Sequence, residues 1–152
     1  YVRIGGKFDE PAVTAVDASP TIGKATTLRR GTDVTVIACG CMVVEALAAA
    51  DELASEGIGV RVLNMHTIKP LDRDAVLAAA AETRGIVAAE EHHLTGGLGG
   101  AIAELVAEEH PTRMRFVGMP DTFATVGPTR KVREKYGMSA ANIAVKCREL
   151  MG

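Results

Sequence analysis

Strand-like and helix-like segments alternate along this chain, and they predict a three-layer α/β fold built on a mainly parallel sheet. Three observations carry that reading. Val34–Cys39 is an unbroken run with four β-branched residues, followed at once by Gly40 and an amphipathic stretch. The same strand, glycine, helix order recurs further on. The chain has 152 residues, 47% of them hydrophobic, with three Phe, two Tyr and no Trp, so its core is aliphatic. A parallel sheet covered on both faces needs such a core.

The elements follow in order. Residues 1–20 read as the tail of something upstream and a linker, because Pro11, Pro20 and Asp17-Ala18-Ser19 interrupt any regular element. The chain opens Tyr-Val-Arg-Ile-Gly-Gly, as if in mid-strand, and is read as a piece of a longer polypeptide. A short strand is expected over Gly23–Arg30, ended by Gly31, and a buried strand over Val34–Cys39. A helix from about Cys41 to Glu56 would turn Val43, Leu47, Ala50 and Ala54 inward, and Gly57 stops it. Val60–Asn64 is the next strand.

Asp72 is the expected N-cap of a second helix with Val76, Leu77, Ala80 and Ala81 inward. A third strand over Ile86–Ala89 precedes a third helix. There Leu98, Ala101, Ile102, Leu105 and Val106 repeat at helical spacing. Arg113–Val117 is a further strand. Helices follow over 128–136 and 140–150, the last capped by Ser139.

Composition excludes several functions. A formal charge of −2 is a poor match for nucleic acid or a membrane surface. No apolar run reaches the length of a membrane span and no signal peptide is visible, so cytoplasm is the default. Cys39, Cys41 and Cys147 suit neither a disulfide framework nor a zinc cage.

Chemistry concentrates in Glu90–Ala103, where an apolar strand runs into two carboxylates, two imidazoles and a glycine-rich helix start. If the strands are parallel, the loops after them share one edge, and His66, Glu90, Glu91, His92, His93 and Asp121 would converge there. A metal site from these histidines is disfavoured, since adjacent side chains on an extended segment point opposite ways. Hydrogen bonding that holds loops and a subunit contact is the preferred reading. Gly96, Gly97 and Gly99 do not make a dinucleotide fingerprint, because the third glycine is missing and the loop follows a late strand. Their use is close packing against a partner.

Cys39 reads as a small buried hydrophobe; Cys41, near a helix start, has no base beside it in sequence. The basic run Arg130–Lys135 is a solvated helix face. Arg3, in an otherwise apolar strand, suits either a phosphate or a surface salt bridge.

From Gly23 to Leu150 the chain resembles the C-terminal domain of transketolases. The matching pieces are Gly23-Lys24-Ala25, Gly31–Gly40, Glu45-Ala46-Leu47, Val62–Asp72, Glu90-Glu91-His92 with Gly96–Gly99, Asp121-Thr122-Phe123 and Lys135-Tyr136-Gly137. The resemblance implies a five-stranded, mostly parallel mixed sheet, its first strand antiparallel, between helical layers. It makes residues 1–20 the end of the preceding pyrimidine-binding domain plus a linker, and 21–152 the C-terminal domain. It implies an enzyme that transfers a two-carbon ketol unit between sugar phosphates with thiamine diphosphate and Mg2+. Both would be held by other domains or subunits: the Gly-Asp-Gly motif of the N-terminal domain and the glutamate of the middle domain are absent here.

This chain alone would thus bind no cofactor and carry no catalytic residue, serving dimerisation and the shape of the cleft. Arg3 matches the family's phosphate-binding arginine. His66, Glu90, Glu91, His92, Gly96, Gly97, Gly99 and Asp121 are expected as loop and interface residues. Two positions depart from the family: Gly6 replaces a second arginine, and Ala124-Thr125-Val126-Gly127 lacks a serine before its glycine. The segment Asn64–Pro70 is most like the short, split transketolases of prokaryotes. Deoxyxylulose-phosphate synthases and 2-oxoacid dehydrogenase beta subunits end in the same domain type, and a non-catalytic assembly or regulatory domain is the alternative from another class.

Overall fold

The computed structural model describes residues 11–15 and 17–152. Five strands and five helices follow in the order β1 (Thr26–Arg29), β2 (Val34–Ala38), α1 (Met42–Ala54), β3 (Val60–Asn64), α2 (Arg73–Glu82), β4 (Ile86–His93), α3 (Leu98–Glu109), β5 (Met114–Met119), α4 (Thr129–Lys135) and α5 (Ala140–Met151). The sheet order is β1-β3-β2-β4-β5. β1 runs antiparallel to β3, and the other neighbours are parallel, so the mixed sheet expected from the family resemblance is present.

Side-chain alternation splits the core between the two faces. Val36 and Ala38 of β2, Val62 of β3 and Val87 and Ala89 of β4 point to one face, where α1 and α5 cover them. Ile37, Leu63, Ile86 and Ala88 point to the other, beneath α2 and α3. Every residue of β2 is buried, which is why that strand reads as a continuous apolar run. Its one polar side chain, Thr35, meets the Thr83 hydroxyl at 3.1 Å.

Local signals place the caps well. The Asp72 carboxylate accepts the Ala75 N–H at 3.3 Å and the Ala25 N–H at 2.8 Å, tying the start of α2 to the residue before β1. Ser139 accepts from Asn142 N–H at the start of α5.

The helix faces differ from the expected ones. In α1 the buried positions are Met42, Val43, Ala46, Ala49, Ala50 and Leu53, while Leu47 is half-buried and Ala54 is exposed. In α2 they are Val76, Ala79 and Ala80, with Leu77 half-buried and Ala81 exposed. Both helices carry alanines all round. The close approach that alanine permits, rather than side-chain size, sets which stripe meets the sheet. β4 also runs four residues past its expected end at Ala89, because Leu94 N–H donates to the Met119 carbonyl and His93 pairs with Met119. A register shift between Ala89 and His93 accompanies the extension.

Candidate functional site

β2 and β4 are neighbours, yet β2 leads to α1 on one face and β4 leads to α3 on the other. Such a reversal opens a crevice at the carboxyl ends of the two strands. Cys39 stands at the end of β2 and Glu90 at the edge of the crevice on β4. All four parallel strands deliver their following loops to this edge. β1, being antiparallel, starts there: a Cβ on Gly23 would stand 3.1 Å from Cγ of Pro70 in the loop after β3.

Glu90 is 3% exposed, a buried carboxylate among apolar residues. Leu98 N–H donates to its Oε2 at 2.7 Å and Gly99 N–H to its Oε1 at 2.8 Å. The carboxylate thereby satisfies two of the unpaired amides that open α3 and sits at the positive end of that helix. The glycines make this possible. A Cβ on Gly97 would lie 2.1 Å from Oε2 of Glu90, and one on Gly99 would lie 2.7 Å from Cδ1 of Phe116. Gly96 has φ +83, the left-handed turn that swings the chain into the helix.

The remaining expected site residues divide into separate groups. Nδ1 of His92 lies 4.0 Å from Oε2 of Glu90 and 2.9 Å from the His93 carbonyl, and the two imidazoles meet edge to face. The Glu91 carboxylate accepts from Nε of Arg133 at 2.7 Å, joining the end of β4 to α4. Asp121 is exposed beside a hollow of about 580 Å³ that His93, Met119 and Phe123 also line. His66 stands apart, at the end of β3 with β2 between it and β4, and its Nδ1 is 3.0 Å from Thr67 Oγ1. So Glu90, His92, Gly97 and Gly99 come together, whereas His66 does not join them. Arg3 lies outside the described residues.

Cys147 is buried, whereas Cys39, expected as a buried hydrophobe, is half-buried because it lies just past the end of β2. Burial, with a smaller contribution from the charge of Glu90, pushes the Cys39 thiol up to about 11. Burial pushes Cys147 up to about 12.

Two features escaped the sequence reading. Tyr136 O–H donates to the Phe123 carbonyl at 3.3 Å and accepts from Thr125 N–H at 3.0 Å, bracing the loop after β5. In addition, a groove of about 960 Å³ runs between the loop after β3 and α3, lined among others by Ile68, Pro70, Leu94, Gly100, Leu105 and Phe116. Phe116, an aromatic side chain in a strand of a chain with only three phenylalanines, was the available signal for it.

The described residues do not fit a thiamine diphosphate or metal site. Among them no three His, Cys, Asp or Glu side chains are grouped to hold a metal ion. The glycine-rich helix start that would suit a diphosphate is filled by the chain's own Glu90 carboxylate. No helix among the described residues is long and apolar enough to cross a membrane.

Comparison with known proteins agrees with this geometry. The family described as "Transketolase, C-terminal domain" matches residues 23–143. The chain is 49% identical over 130 residues to the 6-deoxy-6-sulfo-D-fructose transketolase subunit SqwH of Clostridium sp. (strain MSTE9), covering 86% of this chain and 40% of that protein. It is 42% identical over 148 residues to the 1-deoxy-D-xylulose-5-phosphate synthase of Heliobacterium modesticaldum, covering 97% of this chain and 22% of that one. A solved structure, "Split gene transketolase, inactive beta4 tetramer", superposes with a TM-score of 0.89 at 39% identity, covering 93% of this chain and 46% of that one. The chain therefore spans less than half the length of these relatives. With the family match, the mixed sheet order and the fold superposition in agreement, the chain belongs to the transketolase C-terminal domain family.

Proposed function

We propose that this chain is the C-terminal part of a thiamine-diphosphate-dependent transketolase that transfers a two-carbon ketol unit between sugar phosphates in cytoplasmic carbohydrate metabolism. Residues 1–20 are then the end of the pyrimidine-binding domain and a linker, and 21–152 the C-terminal domain. Its role is assembly and shaping of the cleft. The observation that carries this role is the Glu90 carboxylate seated on the first amides of α3: the fold's natural anion site is spent on internal packing. The likeness to a transketolase subunit and to a split-gene transketolase supports the enzyme class.

Thiamine diphosphate and Mg2+ belong to the N-terminal and pyrimidine-binding domains or subunits, where the cofactor supplies the carbanion chemistry. Those parts are the partners of this chain, together with a second copy in a homodimer. Neither nucleic acid nor membrane is a partner. His66, Glu90, Glu91, His92, Gly96, Gly97, Gly99 and Asp121 serve packing and contact. Arg3 binds the substrate phosphate, where a guanidinium makes charge-assisted paired hydrogen bonds.

The test is reconstitution. Calorimetry on the chain alone with thiamine diphosphate and Mg2+ should show no micromolar binding, while the chain mixed with the completing subunit should transfer ketol units. In that complex Arg3→Ala should lower kcat/KM for phosphorylated acceptors by about one to two decades and affect glycolaldehyde much less. Equal losses on both would make Arg3 structural. A second reading, the end of a deoxyxylulose-phosphate synthase, is favoured by the 42% identity over 97% of this chain. Formation of 1-deoxy-D-xylulose 5-phosphate by the reconstituted complex, without ketol transfer, would select it.

A further inference from the structure

We propose that the hollow between β1 and α2, at the sheet edge opposite the crevice, binds the phosphate group of a small organic phosphate. The proposal is independent of the enzyme reading, because none of the residues assigned there line this hollow. It measures about 400 Å³, within the range of small-molecule sites. It exists because β1 is an edge strand, while Val76 and Ala79 of α2 pack with Leu63 of β3, one strand further in. The α2 residues that line the gap are Ala75, Ala78 and Glu82, and the two alanines are too small to close it.

Two guanidinium groups line the hollow and carry the argument. Arg61 lies in β3 between the buried Val60 and Val62, and its side chain is only 17% exposed. Its Nε donates to the Gly31 carbonyl at 3.3 Å and its Nη2 to Oε2 of Glu82 at 2.7 Å, which fixes the orientation of the planar fork. Those bonds leave the two N–H groups of Nη1 for another acceptor. Arg30 stands on the rim just past β1 and has no ion-pair partner among the described residues. Against these two positive charges the lining supplies one carboxylate, Glu82. The excess is positive, so the complementary ligand is an anion. The Thr27 and Thr32 hydroxyls add further donors. A carboxylate would bring two oxygens to this set and a phosphate three, and guanidinium groups meet phosphate through paired, charge-assisted hydrogen bonds. The floor of Leu63 with Ala75 and Ala78 leaves room for a small organic group behind the phosphate. As a surface ion pair alone, Arg61 with Glu82 would add little to stability.

Amide chemical shifts of the 152-residue chain, followed during titration with glycerol 3-phosphate, inorganic phosphate and malonate, test this. Glycerol 3-phosphate should shift Thr27, Gly31, Thr32 and Arg61 with a Kd of about 1 mM or tighter, at least about threefold tighter than either of the other two. Arg30→Ala removes a side chain without an ion-pair partner, so it should weaken binding about tenfold while Tm is unchanged. Ala78→Leu should fill the hollow and abolish binding. Arg3→Ala should leave these shifts as they were, which separates this hollow from the phosphate of the sugar substrate. The absence of a saturating shift at these amides overturns the proposal, as does binding that survives Arg30→Ala undiminished. Inorganic phosphate or malonate bound as tightly as glycerol 3-phosphate overturns the assignment to an organic phosphate. Should Ala78→Leu fail to fold, Arg30→Ala decides. Ketol transfer in the reconstituted complex is read separately: its failure removes the enzyme assignment and leaves this hollow standing.

Discussion

A Cβ on Gly97 would stand 2.1 Å from Oε2 of Glu90, so the glycine exists to admit the carboxylate that anchors α3. Gly97→Ala should cost about 1–3 kcal/mol, the usual range for forcing extra volume into a filled site. Glu90→Gln, which turns one acceptor into a donor facing a backbone N–H, should cost a similar amount, about 1–3 kcal/mol. Combining Gly97→Ala with Glu90→Ala relieves the clash, so the pair should cost less than the sum by about 0.5–3 kcal/mol. Urea unfolding midpoints of Gly97→Ala, Glu90→Gln, Glu90→Ala and the Gly97→Ala/Glu90→Ala pair check this. Strict additivity would mean that the two residues do not compete for space.

Asp72 should make stability depend on acid pH. Burial alone would push its carboxyl up, but the Ala25 and Ala75 N–H groups and the Lys24 ammonium together outweigh it and hold the carboxyl below the usual carboxylate range. A folded pKa below the unfolded one, which is about 3.9, stabilises the fold above that pH. The contribution is lost as pH falls through the lowered folded value. Asp72→Ala should therefore cost about 1–2 kcal/mol near neutral pH, as loss of an N-cap does. The gap to the unsubstituted chain should narrow as pH falls below about 4. A gap that stays constant down to pH 2 would show that packing, not the charged cap, accounts for the loss.

The thiols should resist modification in the folded chain. With Cys39 pushed up to about 11 and Cys147 to about 12, almost no thiolate exists at either in mild alkali. Titration with an aromatic disulfide reagent at pH 8 should modify at most one thiol before denaturant is added, and three after. Rapid reaction of two thiols in the native state would contradict the burial of these residues.

Much of the fold was legible because its signals are local. The unbroken apolar run of β2, the Asp72 and Ser139 caps and the glycine stops depend on neighbours a few residues away, and each lies where the pattern placed it. The inward stripes of α1 and α2 were less legible, since a helix with alanines on every side has no sharp apolar face and only the sheet decides which one packs. The extension of β4 to His93 depends on pairing with Met119, a partner in a strand not yet reached. The site was legible in the same proportion. Polar residues meeting a glycine-rich helix start could be seen at Glu90, but not that its carboxylate folds back onto Leu98 and Gly99, which takes the turn at Gly96. Nor could the pattern separate glycines pressed by their own chain from Gly100, which is not.

The strand order also governs how this chain can fold. β2 lies at the centre of the sheet, with Val34 paired to Val60 on one side and Thr35 paired to Ile86 on the other. A chain ending before β4 leaves one edge of a wholly buried, mostly apolar strand without hydrogen-bond partners, and such edges are templates for aggregation. The β2–α1–β3 unit can form early, but it becomes self-sufficient only after α2 has crossed over and brought β4 back to the first strand of the parallel set. Long-range pairing of this kind slows folding and lengthens the exposure of the open edge. Time spent with β2 uncovered, more than the strength of any single contact, sets the hazard of making this domain.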